Sequence, residues 1–143
     1  MSIDRRNFVK LTAGMLTAAA LPGCASVAVT RIMPSGGAVR LPLRNFPRLA
    51  QAGGYLKLQP DGAATPLYVL ALDGGEYAAL SPVCTHLGCT VNIEGARLVC
   101  PCHGSTYDRE GSVLRGPAER PLQRFPATVT PGGELVIRLQ GER

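Results

Sequence analysis

Beyond the first thirty residues, apolar and polar positions follow the two-residue period of β-structure and nowhere sustain the 3.6-residue period of a helix. YLKLQP (Tyr55 to Pro60) alternates, LYVLAL (Leu67 to Leu72) is a continuous apolar run, and DGG (Asp73 to Gly75) turns the chain into EYAALS (Glu76 to Ser81). The pattern predicts two strands, a tight turn and a third strand. TVNIEGARLVC (Thr90 to Cys100) predicts two short strands about a Glu94-Gly95 turn, and ATVTPGGELVIRL (Ala127 to Leu139) two more about Gly132-Gly133. No internal repeat or low-complexity tract interrupts the series.

At 143 residues there is room for one domain with a modest core, so a large catalytic apparatus would have to sit on another chain. Seventeen Gly and twelve Pro, with 17% charged and 45% hydrophobic residues, suit many short strands and tight turns. The expected class is all-β. Three of the fifteen basic residues, Arg5, Arg6 and Lys10, fall in the first ten positions, leaving twelve basic against nine acidic side chains beyond them. With no basic run and no aromatic-interleaved stripe, nucleic acid is not an expected partner.

The start of the chain has a different character. After MSIDRRNFVK there is no charged residue from Leu11 through Thr30, which predicts a targeting or anchoring segment outside the globular core. Arg5 and Arg6, followed by Asn7, Phe8, Val9 and Lys10, resemble the twin-arginine export signal, a receptor-read address for proteins exported already folded. An ordinary signal anchor obeying the positive-inside rule is the plainer alternative. The apolar segment is long enough to span a bilayer, although Pro22 and Gly23 interrupt it. Its fate is a retained anchor, cleavage, or lipidation at Cys24, since LPGC resembles a lipoprotein box. The expected organisation is therefore a signal or membrane anchor over 1–30, a flexible Pro/Ser/Gly linker over 31–38, and a domain over 39–143.

The chemistry is concentrated in two hexapeptides, CTHLGC (Cys84 to Cys89) and CPCHGS (Cys100 to Ser105). They hold four of the five cysteines and both histidines. Each pairs a thiol with an imidazole at short offset, Cys84 with His86 and Cys100 with His103, and each leaves one further cysteine, Cys89 and Cys102. Two Cys and two His could close a tetrahedral zinc site. That arrangement gives Cys89 and Cys102 no purpose, and the CxH spacing is not that of the usual zinc knuckle.

The hexapeptides resemble, residue for residue, the cluster-binding loops of disulfide-containing Rieske iron-sulfur proteins, in which one iron of a [2Fe-2S] cluster is held by two cysteines and the other by two histidines. The resemblance covers the chain from about Val39 onward. It implies an antiparallel β-sandwich with a small cluster-binding subdomain and one Rieske-type [2Fe-2S] cluster. Cys84 and Cys100 would bind the inner iron, His86 and His103 the outer, more exposed iron, and Cys89 would pair with Cys102. Export to an oxidising compartment would sustain that disulfide, and closing its loop of about 13 residues should stabilise by ~3 kcal/mol on chain-entropy grounds. Gly88 and Gly104 would let backbone amides approach the cluster sulfurs.

Further positions match the quinol-oxidising members of the family. Ser105 and Tyr107 fall where hydroxyls donate to a bridging sulfide and a ligand sulfur, raising the potential toward the upper part of the ~−150 to +300 mV Rieske range. Gly116, Pro117 and Ala118 resemble the proline-containing loop that covers the cluster. Imidazole ligands couple electron to proton, so the resemblance gives His103 the quinol contact and proton-coupled electron transfer, with His86 beside it and Leu87 as the apolar tip that meets the partner.

Three functions compete. The leading one is the electron-transfer subunit of a cytochrome bc-type quinol:cytochrome c oxidoreductase, not catalytic alone. Its partners would be a membrane cytochrome b-type subunit, quinol and a c-type cytochrome, with the cluster domain on the periplasmic side of a bacterial inner membrane. The second is the small subunit of an arsenite-oxidase-type molybdenum enzyme. The third, an oxygenase ferredoxin component, would need neither export nor a disulfide; an oxygenase catalytic subunit would need further histidines for a mononuclear iron site, and the chain has only His86 and His103.

Overall fold

The computed structural model describes residues 28–140. Arg5, Arg6 and Cys24, and with them the export signal, the anchor and its fates, lie outside the described residues. Within them the chain forms twelve strands: β1 (Val29–Ile32), β2 (Ala38–Pro42), β3 (Tyr55–Pro60), β4 (Leu67–Ala71), β5 (Tyr77–Leu80), β6 (Asn92–Glu94), β7 (Arg97–Val99), β8 (Thr106–Tyr107), β9 (Val113–Arg115), β10 (Arg124–Phe125), β11 (Ala127–Val129) and β12 (Glu134–Arg138). Helical structure among the described residues is limited to three short 3₁₀ turns. The all-β class and the strands expected from the alternating and apolar segments are all present.

The strands make three sheets, in the orders β1-β3-β4-β5-β10, β11-β12-β2 and β6-β7-β8-β9. The first two stack. Leu56, Leu58, Val69, Ala79 and Phe125 from one meet Val39, Leu41, Leu135 and Ile137 from the other in a shared core. The third sheet is the small subdomain, and it packs on the opposite face of the first. There Tyr68, Leu70, Ala78 and Leu80 meet Val91, Leu98, Tyr107, Ala118 and Leu122 in a second core that also takes in Cys84 and Cys100.

This layering explains the apolar run of β4. Successive side chains of a strand point to opposite faces, so Leu67, Val69 and Ala71 enter the first core while Tyr68 and Leu70 enter the second, and all five are buried. A strand buried on both faces has no polar position to spare. Burying each large apolar side chain contributes ~1.5–3 kcal/mol, and β4 with β5 thereby joins the subdomain rigidly to the sandwich.

One feature differs from expectation. Residues 31–38 are not a featureless linker: β1 runs parallel to β3 in register Val29↔Lys57 through Ile32↔Pro60, and Ser35 bridges to Ala38 across a Gly36-Gly37 turn. The β1-β3 pair is parallel, at the edge of a sandwich whose other strand pairs are antiparallel as expected. Edge pairing of this kind depends on a partner strand remote in sequence, and no local pattern in RIMPSGGAVR reports it.

Candidate metal centre

The two hexapeptides form loops of the same backbone design. In the first, the Cys84 amide donates to the Cys89 carbonyl (2.8 Å) and the Gly88 amide to the Cys84 carbonyl (2.9 Å). In the second, the Cys100 amide donates to the Ser105 carbonyl (2.8 Å) and the Gly104 amide to the Cys100 carbonyl (3.0 Å). The glycine amides thus close the loops on their own cysteines. What demands glycine is the backbone: φ is +81° at Gly88 and +76° at Gly104, a region that β-carbons disfavour. The positive φ gives each glycine a turn-shaping role in addition to the room for backbone amides that the resemblance implies.

Strands flanking each loop set its position. The first loop is pinned by the Val83↔Thr90 bridge and enters β6; the second joins β7 to β8, which pair antiparallel through Leu98↔Tyr107 and Val99↔Thr106. The outcome is a graded site. Cys84 and Cys100 are buried, at 2% exposure each, and are the free cysteines of the described residues. His86 is half-buried and His103 exposed, with their rings edge-on and centroids 4.9 Å apart. Leu87 stands 69% exposed beside them.

Cys89 and Cys102, 13 residues apart, form a disulfide that ties the two loops together. The Cys100 sulfur lies within 4.8 Å of both disulfide sulfurs. Those two sulfurs are consumed in their mutual bond, which leaves Cys84 and Cys100 as the free thiols of the two loops.

Hydroxyl groups surround the buried sulfur. Tyr107, with no exposed surface, places its hydroxyl 3.3 Å from Cys84 Sγ. Burial pushes the Cys84 thiol up, but hydrogen bonds from the Tyr107 hydroxyl, the His86 backbone, Cys100 and Ser105 outweigh it, and the net shift is downward, toward thiolate. Burial and the neighbouring Cys84 raise the Tyr107 phenol, which keeps it protonated and a donor. Ser105 is fully buried and its Oγ accepts the Ala118 amide (3.0 Å), leaving its own proton free to point into the site. Through that bond the Gly116-Pro117-Ala118 segment is held against the second loop.

Residues that sequence reasoning passed over complete the frame. Thr85 Oγ1 contacts the Tyr107 hydroxyl (3.1 Å) and donates to the Arg120 carbonyl (2.6 Å). Tyr68, in β4, donates to the Val91 carbonyl (2.8 Å) and secures the chain leaving the first loop. Arg109 bridges the Gly95 carbonyl (2.9 Å) and the Gly54 carbonyl (2.8 Å), bracing the β6-β7 turn against the sandwich. Their partners are main-chain groups distant in sequence, and no motif marks them. The mixed thiol and imidazole set fits an iron-sulfur centre, with soft donors inside and nitrogen donors outside. His86 Nδ1 also fits, because it is buried with no hydrogen-bond partner among the described residues, as suits a metal-ligating nitrogen.

Comparison with known proteins agrees with this geometry. Residues 51–126 match the Rieske [2Fe-2S] domain family. A cytochrome b6-f complex iron-sulfur subunit from Synechococcus elongatus is 37% identical, the match covering 94% of this chain and 84% of that one. The crystal structure of a cyanobacterial plasma membrane Rieske protein from Synechocystis PCC 6803 is 36% identical, with a TM-score of 0.51 over 59% of this chain and 85% of that one. A chain from the complex of reduced oxygenase and oxidized ferredoxin in carbazole 1,9a-dioxygenase superposes with a TM-score of 0.58 at 22% identity, over 76% of this chain and 99% of that one, and shares the fold.

Proposed function

The chain belongs to the Rieske family and carries one [2Fe-2S] cluster, and from that premise we propose that it is the iron-sulfur subunit of a quinol-oxidising cytochrome bc-type complex. The observation that carries the proposal is the graded site: two matched loops with buried thiols inside, outward imidazoles, and hydroxyl donors around Cys84. In this reading Cys84 and Cys100 hold the inner iron, and His86 and His103 the outer. When bound, the cluster supplies one-electron chemistry within the ~−150 to +300 mV Rieske range.

The chain's own residues do the rest. Exposed His103 would accept a hydrogen bond from a quinol hydroxyl and take up its proton as the quinol is oxidised, with His86 packed edge-on beside it. Leu87 presents an apolar tip to the quinol-binding partner. Ser105 and Tyr107 lower the electron density at the sulfurs, which favours the reduced state and suits a centre that accepts electrons from quinol. The Cys89-Cys102 disulfide and the Gly116-Pro117-Ala118 segment hold the loops while the charge changes.

The relatives are named as subunits of a cytochrome b6-f complex, which supports cytochrome partners; the partners proposed for this chain are a membrane cytochrome b-type subunit and a c-type acceptor. The proposed address is the twin-arginine route to the periplasmic face of an inner membrane, with residues 1–30 as signal or anchor and the cluster domain over 39–143. A pivot at Pro34 to Gly37 would require β1 to leave β3. Affinity purification of the full chain from membranes tests the parent complex. Co-purification of b-type haem supports the proposal, and stoichiometric molybdenum in its place would transfer the chain to an arsenite-oxidase-type enzyme.

A further inference from the structure

Around Tyr107 few protons are available, and their directions are fixed by their partners. Thr85 Oγ1 has one proton, and the Arg120 carbonyl at 2.6 Å can only accept, so that proton is committed to Arg120. Toward the Tyr107 hydroxyl, 3.1 Å away, Thr85 Oγ1 is therefore an acceptor. The Thr85 amide meanwhile donates to the Tyr107 oxygen (3.3 Å), which leaves the single phenolic proton as the only one Tyr107 can give. Two acceptors face it, Cys84 Sγ at 3.3 Å and Thr85 Oγ1 at 3.1 Å.

We propose that Thr85 is a positioning residue that sets the cluster's potential by competing with Cys84 Sγ for the one proton of Tyr107. The competition is one-sided because the Arg120 carbonyl keeps the Thr85 hydroxyl turned away from Tyr107. Arg120 follows the segment whose Ala118 amide is held by Ser105 Oγ, so the same stretch of chain orients both hydroxyls. A shared proton weakens the bond to sulfur relative to an unshared one. Removing the Thr85 hydroxyl should then strengthen the Tyr107 bond to Cys84 and favour the reduced state. The inference rests on Cys84 being a cluster ligand, as proposed above.

The test is the midpoint potential of the cluster-loaded full chain, by spectroscopically monitored titration, for Thr85→Val, Thr85→Ser, Tyr107→Phe and the double variant Thr85→Val with Tyr107→Phe. Thr85→Val should shift the potential upward, opposite in sign to Tyr107→Phe. Thr85→Ser, which keeps the hydroxyl, should stay at the parent value. In the Tyr107→Phe background Thr85→Val should have no effect, because there is no proton left to compete for. A downward or absent shift in Thr85→Val, or an equal shift in both backgrounds, overturns the inference in favour of a loop-packing role. If Thr85→Val assembles no cluster, Thr85→Ala removes the same hydroxyl and its shift is judged by the same signs. Iron and sulfide in the parent chain keep the two claims apart: a parent without a cluster overturns the functional reading itself, whereas a normal cluster with the wrong shift overturns this inference alone.

Discussion

Replacing Tyr107 by Phe removes one hydroxyl from a fully buried ring and leaves the packing of the second core intact. The lost bond runs 3.3 Å to Cys84 Sγ. A hydrogen bond to a charged group contributes ~1.5–3 kcal/mol. A ligand thiolate is negative in both redox states, so the bond discriminates between them by less than its full strength, and about 1 kcal/mol is a reasonable share. At about 1.4 kcal/mol per factor of ten and 59 mV per factor of ten for one electron, that becomes a fall of ~40 mV in midpoint potential. The variant has a second signature. The Thr85 amide loses its acceptor, at a cost of ~1 kcal/mol for a part-buried donor, so the melting temperature should fall by about 3–6 °C. Redox titration followed by visible circular dichroism reads the first quantity and a thermal melt the second. An intact cluster with an unchanged or raised potential would refute the assignment of Tyr107 as a donor to Cys84.

Other sites yield expectations of the same kind. Converting both Cys89 and Cys102 to Ala releases a loop of 13 residues and should destabilise the domain by ~3 kcal/mol, seen as a large loss in urea midpoint; an unchanged midpoint would mean that the disulfide constrains nothing. Ser105→Ala should lower the potential and also cost ~1–2 kcal/mol of stability, because the buried Ala118 amide is left unpaired. Changing Arg5 and Arg6 together to Lys should leave cluster-loaded protein in the cytoplasm, since the proposed address is read by a receptor; undiminished export in fractionated cells would return the leader to the ordinary signal-anchor class.

How far the sequence carries the reader depends on whether the determinant is local. The loops are legible because ligand chemistry is written in contiguous residues: Cys84 with His86, Cys100 with His103, and glycines where φ must be positive. The strands β3, β6, β7, β11 and β12 are legible for the same reason, since alternation and turn residues lie next to each other. The apolar run of β4 announces a strand, but its second partner surface becomes evident only when Tyr68 and Leu70 are seen to face the subdomain. β1 is hidden between the uncharged start of the chain and the turn residues Pro34 to Gly37, because its bonds are made with β3 across some 28 positions, as in Val29↔Lys57. Thr85, Tyr68 and Arg109 are silent in sequence because each acts on a carbonyl that only the fold delivers.

In the proposed site two buried cysteines and two outward histidines hold one [2Fe-2S] cluster. Pulsed EPR of the reduced full chain, labelled with ¹⁵N-histidine, tests this ligand set most directly. The expected result is a low-average-g signal coupled to two histidine nitrogens, with either coupling lost or the cluster absent when His86 or His103 is replaced. A reduced cluster with no histidine coupling, or protein made under iron-replete conditions that holds stoichiometric zinc and no iron, would contradict it.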